Sequence, residues 1–100
     1  MNFNLNTQKD ESILSIAGEL DALSVQDLRP VIERIADDRP PKVLVDLSKL
    51  RLIDSSGVGA IVALYKRIKA QGGNVAVIGL KDQPLAIFKL LRLDRVFRAE

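Results

Sequence analysis

The chain has 100 residues, of which 47 % are hydrophobic and 28 % are charged, a composition typical of one globular domain with enough apolar side chains for a core. Its 15 basic and 13 acidic residues give a formal net charge of +2, which is too small to favour nucleic acid or an anionic membrane as a partner. Cysteine and histidine are both absent, which excludes disulfides and a Ser-His-Asp triad and removes the preferred ligands of zinc.

No pair of carboxylates stands out for acid–base catalysis, so we expect a protein that is not an enzyme, with no catalytic residues, no metal and no cofactor. The first residues lack the basic start and apolar run of a signal peptide. No apolar stretch approaches the length of a membrane span. The prediction is a cytoplasmic domain that binds no nucleic acid and does not insert into a membrane.

The first two predicted elements are strands. Polar and apolar residues alternate over residues 2–6, which is typical of a half-buried strand, and the apolar pattern of residues 13–17 predicts a second one. The link around Asp10-Glu11 is so short that the two strands should form an antiparallel hairpin.

A helix is predicted next, beginning at Ser24. Ser24 and Asp27 resemble a capping box with Asp in place of Glu, and apolar residues follow at helical spacing. Pro30 interrupts the pattern because it has no N–H to donate to the carbonyl one turn earlier. We expect one helix kinked at Pro30; the alternative is a short turn followed by a helix that begins near Pro30.

The next two predicted elements flank the most informative stretch of the chain. A nearly continuous apolar run over residues 43–47 predicts a strand covered on both faces, as in a parallel sheet. Residues 48–53 are expected to connect it to a helix, with Leu50 and Ile53 facing inward. The helix after Ser55 has the clearest pattern, since apolar residues repeat every three or four positions and cations collect toward its end.

Three further elements complete the prediction. Residues 74–79 predict a short buried strand, Pro84 lies in the first turn of a third helix, and residues 96–98 are expected to form a final edge strand. The alternation of strands and helices predicts a single α/β domain over residues 1–100. Its sheet should be mixed and mostly parallel, with an N-terminal hairpin and about three helices.

Functional sites in such sheets favour the loops after the C-terminal ends of strands. Residues 18–23 and 48–57 form two such loops, and parallel neighbouring strands would bring Asp21 and Ser55 to the same edge. The second loop leads into a helix start, whose unpaired N–H groups are capped by Asp or Ser side chains and also favour a phosphate. The residues alone leave open whether the serines cap the helix or accept a phosphate.

Several motifs, in order along the chain, carry a resemblance to a known family. They are Gly-Glu-Leu-Asp at 18–21, Val-Leu-Val-Asp-Leu at 43–47, Asp-Ser-Ser-Gly-Val-Gly at 54–59, Gly-Gly at 72–73 and a Leu-rich third helix. The chain resembles the STAS domain over nearly its whole length, and within that family the single-domain bacterial anti-sigma factor antagonists. The Asp-Ser-Ser-Gly motif is among the most specific features of that group.

The resemblance implies a partner switch. Ser55 would be phosphorylated by a GHKL-type serine kinase that is also an anti-sigma factor, and a PP2C-type phosphatase would remove the phosphate. The unphosphorylated protein would bind the kinase and release the sigma factor, and phosphorylation would abolish binding. Helix capping would then fall to Ser56 or Asp54. The expected partner-binding residues are Asp21, Asp54, Ser55, Ser56, Gly57, Val58 and Gly59.

Alternative interpretations remain for these residues and for the whole chain. Asp21 would otherwise cap the first helix, and Gly57 and Gly59 would serve turn geometry and helix packing. A STAS accessory subunit of a membrane transporter is the second functional hypothesis. A nucleotide-binding protein is the third, but the glycines match only the start of a dinucleotide fingerprint, since Val62 stands at its third glycine position.

Overall fold

The fold is an α/β arrangement built on one mixed sheet, and the computed structural model describes residues 3–97. Its elements along the chain are β1 (Phe3–Gln8), β2 (Glu11–Leu20), α1 (Ala22–Asp38), β3 (Lys42–Ile53), α2 (Ser55–Ala70), β4 (Asn74–Ile78) and α3 (Asp82–Leu90). The strands lie in the order β1-β2-β3-β4. β1 and β2 pair antiparallel, whereas β3 runs parallel to both β2 and β4. The predicted fold class and N-terminal hairpin are therefore confirmed.

One face of the sheet carries the core. Along β3, Val43, Val45 and Leu47 are fully buried, whereas the alternate residues Leu44 and Asp46 are only half-buried. The expectation that this strand is covered on both faces is therefore wrong. The apolar run overstated burial because side chains alternate between the two faces of a sheet.

β3 extends further than predicted, through residues 48–53, which the sequence analysis placed in a connection. Its pairing with β2 continues to the end, where Leu20 lies opposite Ile53, after two register shifts at each of which β3 has one extra residue. Leu50 and Ile53 are 2 % and 4 % exposed, so their inward orientation is confirmed. Exposed residues, two of them charged, lie between Leu50, Ile53 and the earlier apolar run. They interrupt the apolar pattern because only one face of the strand is buried, so the pattern did not predict a strand here.

Helix α1 begins two residues earlier than predicted. Asp21 is its N-cap and Ser24 lies at the third helical position, so the predicted pairing of Ser24 with Asp27 is wrong. A single helix runs through Pro30 to Asp38, and the alternative of a separate short turn is also wrong. Pro30 is exposed, so its ring occupies the solvent side of the helix.

The chain after α3 forms turns over residues 91–97, not the strand expected at 96–98, of which Arg98 lies outside the described residues. Phe97 is fully buried. Its ring contacts Tyr65 of α2 edge-on at 5.1 Å between centroids and lies 5.9 Å from the ring of Phe88 in α3. The apolar pattern here comes from a turn residue that packs its ring against two helices, which a short run of residues does not distinguish from a strand.

Candidate functional site

The ends of β2 and β3 place two aspartates side by side. The Asp54 N–H donates to the carbonyl oxygen of Leu20 at 3.1 Å, which continues the pairing of the strands by one residue. Asp21 and Asp54 each follow the end of a strand and each caps the next helix. The prediction that the residues after β2 and β3 meet at one edge of the sheet is therefore confirmed.

Asp21 takes part in a capping box. Its Oδ1 accepts hydrogen bonds from the N–H groups of Leu23 at 3.1 Å and Ser24 at 3.0 Å. In return, the Ser24 hydroxyl oxygen accepts from the Asp21 N–H at 2.8 Å. The backbone and side-chain hydrogen bonds from Ser24 stabilise the charged carboxylate and lower the pKa of Asp21. The capping role that the sequence analysis gave as an alternative for Asp21 is therefore present.

Asp54, not Ser56, caps helix α2. Its Oδ1 accepts from the Gly57 N–H at 3.0 Å, and its carbonyl accepts from the Val58 N–H at 3.0 Å. Ser55 and Ser56 are the first two residues of the helix and both are exposed. None of the side-chain hydrogen bonds found within residues 3–97 uses the Ser55 hydroxyl. The cap is thus complete without this hydroxyl, which faces solvent.

The two glycines of the motif have different surroundings. A Cβ at Gly57 would lie 2.6 Å from the Leu20 carbonyl oxygen and 2.8 Å from Cγ1 of Ile53, distances too short for any side chain. Gly57 therefore lets α2 pack against the strand ends. A Cβ at Gly59 would meet nothing within 4 Å, and this residue is exposed. Helix packing accounts for Gly57 but not for Gly59.

Val58 lies in the hydrophobic core and is 7 % exposed. Of the seven residues predicted to bind a partner, Val58 and Gly57 are thus buried. Both pack α2 against the rest of the domain and offer little surface to a partner, whereas their predicted partner-binding role stays a prediction. The exposed members of the set are Asp54, Ser55, Ser56 and Gly59, with Asp21 half-buried beside them.

Gln83 of α3 is a site residue that sequence reasoning missed. Its Oε1 accepts from the Ile53 N–H at 2.9 Å and its Nε2 donates to the Ile53 carbonyl at 3.0 Å. The register of β4 with β3 ends at Asp46 and Ile78, so the last part of β3 lies beyond it. The Gln83 amide takes the place of a neighbouring strand there and fixes the residue that precedes Asp54.

The surface around these strand ends forms a shallow cleft of about 260 Å³. It is lined by Glu19, Leu20, Asp21, Leu52, Ile53, Asp54 and Gln83. Beside it, Glu19 and Arg51 form an ion pair with 3.0 Å between oxygen and nitrogen. Both partners are well exposed, so this pair adds little to stability.

Residues 2–100 match the family model described as the STAS domain. The chain belongs to the STAS family. This STAS domain is 31 % identical over 102 residues to the anti-sigma-B factor antagonist of Bacillus subtilis, an alignment that covers 96 % of the chain and 89 % of that protein. The predicted family is therefore confirmed.

Solved structures agree on the fold. The STAS domain superposes on an anti-sigma factor antagonist from Mycobacterium paratuberculosis with a TM-score of 0.88 and 23 % identity, covering 98 % of this chain and 83 % of that one. It superposes on the Bacillus cell fate determinant SpoIIAA in its phosphorylated form with a TM-score of 0.80 and 20 % identity, covering 99 % and 91 %. Among the described residues of this STAS domain, every helix is too short or too polar to span a bilayer.

Proposed function

We propose that this STAS domain is an anti-sigma factor antagonist whose docking to a partner is switched by phosphorylation of Ser55. One observation carries the proposal: an exposed hydroxyl lies in the first turn of α2, and the cap of that helix is complete without it. Adding a phosphate therefore removes no hydrogen bond seen in the fold. The relationship to the B. subtilis antagonist supports the same role.

The electrostatics of the helix start favour the modification. A phosphoserine carries about −1.5 to −2 charges at pH 7, and a negative charge at a helix N-terminus gains roughly 0.3–1 kcal/mol. The neighbouring Asp54 carboxylate repels the phosphate and offsets part of this gain. The fold should therefore tolerate the phosphate, whereas a partner surface closed over Ser55 would not.

The partners in this proposal are a GHKL-type serine kinase that is also an anti-sigma factor and a PP2C-type phosphatase. The unphosphorylated domain binds the kinase and so releases the sigma factor. Phosphorylation of Ser55 ends that binding, and the phosphatase restores it. Asp54, Ser55, Ser56 and Gly59 supply the exposed docking surface, with Asp21 at its border.

The direct test is to locate the phosphate. The purified domain is incubated with ATP and each GHKL-type serine kinase of the source organism, expressed singly, and then fragmented for mass spectrometry. We expect one phosphate, on Ser55, which is lost in Ser55→Ala and kept in the matched variant Ser56→Ala. A phosphate on another residue, or none with any of these kinases, would contradict the proposal. Binding to a transport ATPase instead would favour the transporter hypothesis.

Gly59→Ala is expected to change stability and binding in opposite directions. Alanine is favoured over glycine inside a helix by about 0.5–1 kcal/mol, and the new Cβ has open space, so the free energy of unfolding should rise. The same methyl group projects into the docking surface and should weaken kinase binding by roughly tenfold, a change of about 1.4 kcal/mol. Urea denaturation and titration calorimetry measure the two effects.

Ala63→Gly, at an exposed position one turn further along α2, is the matched control for Gly59→Ala. It should lower stability and leave affinity unchanged. If Gly59→Ala is stabilised and binds the kinase like the wild type, Gly59 lies outside the docking surface.

A further inference from the structure

Two large apolar side chains are exposed at the end of the molecule that carries Ser55. Leu23, the second residue of α1, is 75 % exposed, and Leu52, the penultimate residue of β3, is 46 % exposed. Leu52 lies opposite Glu19 in the strand register and lines the cleft together with Asp54. Neither side chain belongs to the hydrophobic core, so packing within the domain does not explain why a leucine stands at either position.

The size of a protein interface places both leucines within reach of a partner that contacts Ser55. A stable interface covers about 800 Å² on each partner, which is many times the area of one side chain, so a partner that reaches Ser55 also covers the surface next to it. Leu52 lies three residues before Ser55, and Leu23 lies three residues after Leu20, whose carbonyl oxygen binds the Asp54 N–H. A kinase that reaches the Ser55 hydroxyl therefore covers this end of the domain.

The charged side chains that line the cleft are already engaged within the domain. The Asp21 and Asp54 carboxylates cap helices, and Glu19 is paired with Arg51. The two leucines, in contrast, hold apolar area that only a partner would remove from water. The centre of an interface is more apolar than its rim, which matches exposed leucines at the end of the domain that carries Ser55.

We propose that Leu23 and Leu52 are the apolar anchors of the docking surface around Ser55, and that the serine kinase covers them with apolar side chains of its own. This inference rests on the proposed function. It also explains how the switch acts: a phosphate added beside an apolar contact must lose its water when the kinase docks, and repulsion and desolvation then oppose binding. Phosphorylation would thus block docking without moving any element of the domain.

The test uses Leu23→Gln and Leu52→Thr, which keep residue types suited to a helix and a strand. Matched controls are Leu90→Gln and Leu91→Gln at the C-terminal end of α3, where the side chains are 76 % and 51 % exposed. The affinity of each unphosphorylated variant is measured for the GHKL-type kinase that phosphorylates the wild type, with melting temperature alongside. We expect at least tenfold weaker binding for the first two variants, wild-type binding for the controls and similar melting temperatures throughout.

The outcomes separate this inference from the function on which it rests. If Leu23→Gln and Leu52→Thr bind like the wild type while Ser55→Asp does not, the inference is overturned and the phosphorylation switch stands. If the two controls weaken binding as strongly, the effect belongs to any exposed leucine and the inference again fails. If Ser55→Asp binds like the wild type, the switch itself is wrong and the inference falls with it.

Discussion

Ser55→Asp should weaken binding to the serine kinase by roughly a hundredfold or more and leave the fold intact. An unpaired charge buried in an interface costs about 3–5 kcal/mol, and each 1.4 kcal/mol corresponds to about tenfold in affinity. Within the free domain the new carboxylate lies exposed in the first turn of α2, where a negative charge is favoured. Calorimetric titration of the kinase measures the loss, and thermal unfolding checks the fold.

Two control variants test whether a loss of affinity in Ser55→Asp comes from a negative charge at this position. Ser55→Ala removes the hydroxyl without adding charge, so it should bind the kinase like the wild type and resist phosphorylation. Asn74→Asp adds the same charge at an exposed position where β4 begins, at the opposite end of the strands, and should not change affinity. Equal affinity of the wild type and Ser55→Asp would refute the switch.

Gly57→Ala is expected to lower the free energy of unfolding by about 1–3 kcal/mol, the usual cost of overpacking a close contact. The added Cβ would lie 2.6 Å from the Leu20 carbonyl oxygen, a main-chain atom that also accepts the Asp54 N–H. Relief requires moving α2 away from β2, which disturbs the start of the helix. In a domain of this size each kcal/mol shifts the melting temperature by roughly 4–8 °C.

Gly59→Ala is the internal comparison for Gly57→Ala, since it makes the same chemical change two residues along the same helix. We expect the two substitutions to shift the urea midpoint in opposite directions. A Gly57→Ala variant as stable as the wild type would mean that α2 does not approach the strand ends as closely as described.

The local chemistry of residues 54–59 predicted the start of α2 and the adjacency of two loops at one sheet edge. These features depend on short-range rules: a cap before an apolar helical pattern, and parallel strands that end together. The choice between Asp54 and Ser56 as the cap stayed open because both side chains have suitable oxygen atoms. Only the position of the Asp54 carboxylate against the Gly57 N–H resolves it.

Features that depend on distant segments could not be predicted in this way. The bonds between Gln83 and Ile53 join residues 30 positions apart, and nothing near either residue indicates them. The same holds for Phe97, whose burial comes from rings of α2 and α3 and whose pattern suggested a strand. The early start of α1 was missed for another reason: Asp and Ser are both common N-cap residues, and the cap is Asp21, with Ser24 at the third helical position.

The Gln83 amide has a consequence for how signals could reach the serine. The strand that leads to Ser55 is completed by a side chain from α3, so this helix holds the main chain of the residue before Asp54. A tilt of α3 would pull on the main chain of Ile53 and re-aim the hydroxyl two residues later. A contact that shifts α3 at a distance from the docking face would therefore change how readily a kinase phosphorylates Ser55.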